Sequence, residues 1–221
     1  MAAIALAPRF HRIGSPAAAR YSVEAWFGTT GLGHTVATEF RVRKAAPLDA
    51  SAIAHVYVNS WRTSYVGLLP DSILRGMSEV RETLFWWTAL CSPRSQAVTL
   101  VVQDPDGKVV GFLSAGAERA QGPARRAEVY TLYLLESHQR RGFGSWLLRA
   151  ATERLRDLGF TSLMVWVLAG NPARTFYESL GAAPMAARTI RMGGRSIQEI
   201  AYAWPELALA QAPASRGRSS V

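Results

Sequence analysis

Apolar and polar residues repeat along the chain with two different periods, and each change of period marks a new strand or helix. The segment 38–45 alternates Phe40 and Val42 with arginines, which predicts a half-buried strand. Apolar residues recur at helical spacing in 47–61 and again in 78–90, and Pro47 and Asp49 are typical of a helix start. The intervening segment 64–77 reads as an apolar loop.

The rest of the chain predicts six more strands and two more helices. Two strands within 97–116 are joined by a turn at 104–107, and 128–135 is a β run rich in aromatic and branched residues. An amphipathic helix over 145–159 has a predicted buried stripe of Leu147, Leu148, Ala151, Leu155 and Leu158. A buried strand at 161–168 and a short helix starting at Asn171 and Pro172 follow, and a hairpin turning at Gly193 ends the pattern. This order predicts an α/β protein, with a mixed sheet and helices on its faces.

Composition indicates one globular domain, which we place at 38–205. The chain has 221 residues, of which 49% are hydrophobic. Residues 1–37 lack the basic and apolar regions of a secretory signal, and we expect a disordered extension; their arginines and lack of acids before Glu24 weakly resemble a transit peptide. Residues 206–221 are expected to form a disordered tail. No apolar run is long enough to span a bilayer, so we expect a cytoplasmic protein without membrane partners.

The formal net charge of +9 suits nucleic acid, a membrane surface or a small molecule with several phosphates. The arginines are scattered over predicted helices and loops, which argues against nucleic acid. Cys91 is the one cysteine, and the four histidines show no metal-ligand spacing, so no metal is expected.

The segment Gln139–Ser145 contains two arginines and two glycines directly before a predicted helix. The first turn of a helix has unpaired N–H groups and a positive dipole end. Gly142 and Gly144 allow the backbone to approach a ligand closely, so the segment predicts a site for phosphate or pyrophosphate. Ser145 and Trp146 follow Gly144, which excludes a P-loop, and Leu147 stands where a dinucleotide fingerprint needs its third glycine.

Two motifs together resemble a known family. A β run ending at Leu132–Leu134 is followed by Gln-Arg-Arg-Gly-Phe-Gly, an amphipathic helix, a buried strand and "NPARTFYESLGA". This order is similar to the GNAT superfamily of acyl-CoA-dependent N-acetyltransferases, from about Phe40 to Trp204. The resemblance implies a mostly antiparallel sheet between helices, with acetyl-CoA as the acyl donor.

The resemblance also implies roles for individual residues. The pyrophosphate of acetyl-CoA would lie on the backbone of Gln139, Arg140, Arg141, Gly142, Phe143, Gly144 and Ser145. Leu132, Tyr133 and Leu134 would pair with the pantetheine arm, and the Leu134 N–H would polarise the thioester carbonyl. Asn171 would bind pantetheine, and Tyr177 would protonate the departing thiolate. The spacing from Asn171 to Tyr177 is one residue shorter than usual, which leaves helix capping as the alternative for Asn171; Glu136 stands where many relatives have proline.

The acceptor side is less defined. An amine must lose a proton to attack, and Glu128, on the same predicted strand, is the first candidate for a base or an amine-docking group. Its alternative is a strand-edge carboxylate facing water, and Glu199 is a second candidate. Six apolar residues form either a pocket wall or core, with core favoured for the last two: Trp61, Tyr65, Leu68, Leu69, Trp86 and Trp87. Tyr177 also has core packing as an alternative.

The sequence therefore predicts acetyl transfer from acetyl-CoA to a primary amine of a small molecule or peptide, within a ternary complex. A non-catalytic acyl-CoA-binding module on the same fold is the alternative, and Tyr177 and Glu128 argue for the enzyme. The identity of the acceptor, the acyl chain preference and formation of a homodimer stay open.

Overall fold

Eight strands and five helices form the protein in a computed structural model that describes residues 3–4, 39–92, 97–120 and 125–207. The strands are β1 (Ala3–Ile4), β2 (Arg41–Lys44), β3 (Val98–Gln103), β4 (Val109–Ala117), β5 (Arg126–Leu134), β6 (Ser162–Leu168), β7 (Ala183–Met192) and β8 (Arg195–Trp204). The helices are α1 (Ala50–Ser64), α2 (Asp71–Arg75), α3 (Glu79–Cys91), α4 (Phe143–Asp157) and α5 (Arg174–Ser179), with 3-10 turns at Pro47–Asp49 and Glu136–His138.

The strands make one sheet in the order β2-β3-β4-β5-β6-β8-β7, and β1 also pairs with β5. Only β5 and β6 are parallel; the other described pairs are antiparallel. The connection from β5 to β6 contains α4, as a parallel pair requires. The predicted class, a mixed and mostly antiparallel sheet with helices on both faces, is confirmed.

Each face of the sheet has its own apolar core. One core packs α1 and α3 against Val101, Phe112 and Tyr133. The other packs α4 and α5 against the opposite face and contains most of the predicted stripe of α4: Leu147, Leu148, Ala151 and Leu155. Leu158, predicted as part of that stripe, is 56% exposed because it follows the last turn of α4 and lies beyond the sheet.

Three local predictions differ from the structure. The segment expected to be a loop contains α2, which begins directly after Pro70 because proline fixes a backbone angle that suits a helix start. Helix α5 begins at Arg174 rather than at Pro172. Trp86 is buried as expected, but Trp87 is 47% exposed, since adjacent residues on α3 point about 100° apart.

The ends of the chain lie largely outside the described residues. Of the predicted extension at 1–37, only the backbone of Ala3 and Ile4 is described, opposite Leu132 and Thr131. Of the predicted tail, Glu206 and Leu207 are described, and Leu207 packs into the core beside α4. No helix in residues 39–92, 97–120 and 125–207 is long and apolar enough to cross a membrane. Within these ranges, no group of three or more His, Cys, Asp or Glu side chains could hold a metal ion.

Candidate active site

The sheet opens between β5 and β6. Their parallel pairing runs from Arg126 opposite Ser162 to Val129 opposite Val165 and then stops. A register shift in the pairing of β4 with β5 falls at Tyr130, where one extra residue bends β5. Beyond this bulge, the edge of β5 that faces away from β4 is no longer paired with β6.

Backbone groups of β5 point into this opening. The N–H of Leu135 donates to the Val110 carbonyl in β4. Because successive N–H groups of a strand point to opposite edges, those of Leu134 and Leu132 point away from β4. Ala3 and Ile4 occupy part of this edge, opposite Leu132 and Thr131.

The first turn of α4 lies at one end of the opening. Gly142 precedes the helix with φ of 87°, Arg140 has φ of 57°, and no side chain of the described residues caps the helix. Left-handed residues before a helix turn successive N–H groups toward one concave surface, which binds anions. A cavity of about 350 Å³ adjoins this turn and is lined by Leu132, Leu134, Gln139, Arg140, Gly142, Gly144, Ser145, Thr175, Phe176 and Ser179.

The structure separates the predicted cofactor residues into two groups. Seven of them line the cavity, whereas Tyr133, Arg141, Phe143 and Asn171 do not. The Arg141 guanidinium lies over the rings of Phe40 and Phe143, 5.2 and 5.5 Å from their centroids. The side chain of Tyr133 points into the core under α1. The cavity also contains Thr175, Phe176 and Ser179, which sequence reasoning missed although they flank Tyr177.

This arrangement predicts different effects for two adjacent arginines. We expect Arg140→Ala to weaken acetyl-CoA binding about 5-fold, because it removes one exposed cation beside an anion site. Arg141→Ala is the matched control, and we expect less than about a 2-fold change in affinity because that side chain is held by aromatic rings. Calorimetric titration at low and high salt checks both values. An equal loss of affinity for acetyl-CoA in the two variants would show that both side chains act only through long-range electrostatic attraction.

Tyr177 lies on α5, the helix whose Thr175, Phe176 and Ser179 line the cavity. Its side chain is fully buried, and its hydroxyl has no hydrogen-bond partner among the described residues. Burial raises its pKa far above the usual range for tyrosine, so the hydroxyl keeps its proton. Burial also raises the pKa of Tyr65 and of Tyr133, which belong to the core on the opposite face of the sheet.

A chain of hydrogen bonds links aromatic side chains on the face of the sheet that α1 covers. Trp61 Nε1 donates to the Tyr133 hydroxyl at 3.0 Å, and Tyr65 is hydrogen-bonded to both Tyr133 and Asn171. The Asn171 side-chain oxygen accepts from the Ala173 N–H at 2.8 Å. Asn171 thus shapes the turn before α5 but is not its N-cap, which is Ala173, and its contact with pantetheine stays a prediction.

Glu128 does not face water, since only 2% of its surface is exposed. Arg119 surrounds it: the backbone N–H donates to Oε2 at 3.0 Å, Nε donates to the same oxygen at 3.1 Å, and Nη2 donates to Oε1. The alternative of a solvated strand-edge carboxylate is therefore wrong.

Glu199 is fully buried on β8 and is paired with an arginine on β7. Arg188 Nε donates to Glu199 Oε2 at 2.7 Å, whereas Glu199 Oε1 has no partner among the described residues. Sequence reasoning named neither Arg119 nor Arg188. Both pairs depend on which residues lie opposite in neighbouring strands, which the local pattern does not reveal.

Six apolar residues were predicted to form either a pocket wall or core. Five of them lie in or beside the core under α1: Trp61, Tyr65, Leu68, Leu69 and Trp86. Leu68 also lines a second cavity of about 200 Å³, between the end of β6 and the start of β8. The other lining residues of this cavity are Leu168, Ala169, Gly170, Arg195, Ser196, Ile197 and Gln198. Leu68 therefore serves as pocket wall, and the remaining four serve mainly as core.

Comparison with known proteins agrees with this geometry. A model of the acetyltransferase (GNAT) family matches residues 58–182. The chain is 36% identical over 166 residues to YuaI, an uncharacterized N-acetyltransferase of Bacillus subtilis (strain 168), covering 75% of this chain and 93% of that protein. Two similar solved structures are yncA, an acetyltransferase from Salmonella typhimurium with acetyl-CoA, and the paia N-acetyltransferase from Thermoplasma acidophilum in complex with coenzyme A.

The structural matches cover most of this chain. For the Salmonella protein the TM-score is 0.59 at 20% identity, over 80% of this chain and 98% of the other. For the Thermoplasma protein the TM-score is 0.57 at 19% identity, over 72% and 97%. The chain belongs to the GNAT family and is an acetyltransferase.

Proposed function

We propose that this enzyme transfers the acetyl group of acetyl-CoA directly to a primary amine while both substrates are bound. The observation that carries the proposal is the cavity between the uncapped start of α4 and helix α5, which also carries the buried and unpartnered hydroxyl of Tyr177. The coenzyme A complexes of the Salmonella and Thermoplasma proteins support acetyl-CoA as the donor.

The donor would lie along the opening. The pyrophosphate would bind the N–H groups from Arg140 to Ser145, and the pantetheine arm would pair with Leu132 and Leu134 along the free edge of β5. Ala3 and Ile4 pair with the same edge, so binding in this position requires them to separate from it.

The chemistry follows from the groups around the opening. The neutral amine attacks the thioester carbon, and the carbonyl oxygen gains negative charge that the Leu134 N–H stabilises. Collapse of the tetrahedral intermediate breaks the carbon–sulfur bond. Tyr177 then gives its proton to the thiolate, and the extra proton of the attacking amine leaves to solvent or to a base.

Glu128 would orient the attacking amine. We expect Glu128→Gln to lower kcat/KM for the amine roughly 10-fold, because it replaces a charge-assisted hydrogen bond with a neutral one. The affinity for acetyl-CoA should stay the same, since Glu128 does not line the donor cavity. Steady-state kinetics with the amine as the varied substrate, together with calorimetry for acetyl-CoA, checks this prediction. An unchanged kcat/KM would return Glu128 to a purely structural role as the partner of Arg119.

A thiol-release assay tests the proposed function as a whole. Purified protein is mixed with acetyl-CoA and a panel of amino acids, polyamines, aminoglycosides and peptides with free N-termini, and free coenzyme A is measured. Release that depends on both the protein and one class of amine is the expected result. Tight binding of acetyl-CoA without release for any amine would favour a non-catalytic acyl-CoA-binding module.

A further inference from the structure

An arginine from the outer strand of the sheet reaches back to the opening between β5 and β6. The guanidinium carbon of Arg188, on β7, lies 3.9 Å from the ring centroid of Trp166, on β6. Trp166 directly follows Val165, the last residue of β6 that pairs with β5. The guanidinium therefore lies at the mouth of the opening, two strands away from its own backbone.

The face of the sheet follows from the alternation along β6. Leu168 packs into the core under α1, and Trp166, two residues earlier, points to the same face. Arg188 and Glu199 contact each other on this face as well. The guanidinium is thus on the opposite face from α4, the helix whose N-terminus adjoins the proposed pyrophosphate site.

The orientation of Arg188 is fixed in advance. Its Nε donates to the buried Glu199 carboxylate at 2.7 Å, and its plane is held against an indole ring. No described residue accepts a hydrogen bond from Nη1 or Nη2, and 39% of the side chain is exposed. An immobilised guanidinium with two free terminal nitrogens is a fork that matches the two oxygens of a carboxylate.

The second arginine at this opening differs in one respect. The Arg119 guanidinium carbon lies 5.0 Å from the ring centroid of Tyr130, the bulge residue of β5, but its nitrogens are directed to Glu128. Arg119 therefore neutralises Glu128, and Arg188 supplies the donors. Glu199 acts as a positioning residue that fixes Arg188.

We propose that Arg188 binds a carboxylate of the acceptor, so that the acceptor is an amine that also carries a carboxylate, such as an amino acid. Neighbouring strands lie about 5 Å apart, so a carboxylate above β6 and an amine at the opening are roughly one strand spacing apart. A small amino acid spans this distance. The proposal rests on the proposed acetyl transfer and specifies the acceptor that the same site takes.

The experiment compares matched acceptors at saturating acetyl-CoA. Alanine, leucine, methionine and glutamate are each assayed against the corresponding α-carboxamide. For at least one amino acid, the wild-type enzyme should show a kcat/KM roughly 10- to 100-fold above that of its amide, because the amide lacks the charge-assisted contact. Arg188→Gln should abolish that difference by lowering kcat/KM for the acid alone, and Arg188→Lys should restore part of it.

Two further variants separate recognition from folding. Arg191→Gln removes the same charge from β7 three residues away, on the opposite face, and should leave the preference unchanged. Arg188→Gln leaves the buried carboxylate of Glu199 without its ionic partner, which destabilises the fold. The double variant Arg188→Gln/Glu199→Gln buries no charge and is therefore assayed alongside it. The double variant should bind acetyl-CoA normally and show no preference for the acid.

The outcomes distinguish the two proposals. If acetyl-CoA binds and thiol is released, but acids and amides are used equally or no amino acid is used, the assignment of Arg188 is wrong and acetyl transfer stands. An equal decrease in kcat/KM for the acid and for the amide in the Arg188 variants would also overturn the assignment of Arg188. If acetyl-CoA does not bind to the wild-type protein, the proposed function fails, and the acceptor assignment fails with it.

Discussion

Replacing Tyr177 with phenylalanine is expected to lower kcat about 100-fold while leaving the affinity for acetyl-CoA unchanged. General acid catalysis by a positioned side chain contributes about 10² to 10⁴ in rate, and the tyrosine hydroxyl is the proposed proton donor to the thiolate. The hydroxyl is buried and has no partner among the described residues. Removing it should therefore leave the free energy of unfolding equal or raise it by up to about 1 kcal/mol.

The diagnostic result for Tyr177→Phe is a lower kcat together with an equal or higher free energy of unfolding. Tyr202→Phe is the matched control, because its buried hydroxyl accepts from Arg174 Nε at 2.8 Å and donates to Glu178 Oε1 at 2.7 Å. That variant should lose stability and keep kcat. Single-turnover kinetics and denaturant unfolding of both variants provide the comparison. A Tyr177→Phe enzyme with normal kcat and reduced stability would show that Tyr177 is only part of the core.

The pH profile gives an independent check on Tyr177. A general acid is active in its protonated form, and burial raises the pKa of this hydroxyl well above the ordinary value. The acid therefore stays protonated throughout the accessible range, and kcat should not fall between about pH 8 and pH 10. A decline centred near pH 10 that disappears in Tyr177→Phe would mean that the hydroxyl is solvated when substrates are bound.

Substituting alanine for Gly142 should weaken acetyl-CoA binding by roughly 10- to 30-fold. The residue has φ of 87°, where a side chain costs about 1–2 kcal/mol, and it directs the N–H groups that would hold the pyrophosphate. Relief of that strain would turn these groups away from the cavity. Calorimetry measures the affinity, and thermal unfolding measures the cost in stability.

Gly159 offers a control at the other end of the same helix. It has φ of 86°, and a Cβ at either glycine would have no described heavy atom within 4 Å. Gly159→Ala should therefore lose the same stability as Gly142→Ala and keep full affinity for acetyl-CoA. If both variants bind acetyl-CoA equally well, the backbone before α4 does not hold the pyrophosphate.

Local sequence signals predicted the helix start that borders the cavity, and the binding of acetyl-CoA there stays a proposal. Gly142 before an amphipathic helix specifies both a left-handed turn and an unpaired helix start, and these features depend on neighbouring residues alone. Hydrophobic periodicity likewise predicted the sheet and most of the stripe on α4. It failed for Leu158 and Trp87, because periodicity gives a direction around a helix and not how far the opposing sheet extends.

The acceptor half depends on contacts between distant segments. Arg188 meets Glu199 because β7 and β8 pair in one register, and it meets Trp166 because β8 lies between β7 and β6. A shift of one residue would move Arg188 to the other face. The chain sequence contains these residues, but their meeting follows only from strand order and register.

The central claim is that the opening beside α4 binds acetyl-CoA, and isothermal titration of the full-length protein with acetyl-CoA tests it most directly. We predict one site per chain with a dissociation constant between roughly 1 µM and 1 mM, the range typical of enzyme substrates. Binding should weaken in Gly142→Ala and persist in Gly159→Ala. No heat of binding up to about 1 mM acetyl-CoA, from protein shown to be folded by circular dichroism, would contradict the account.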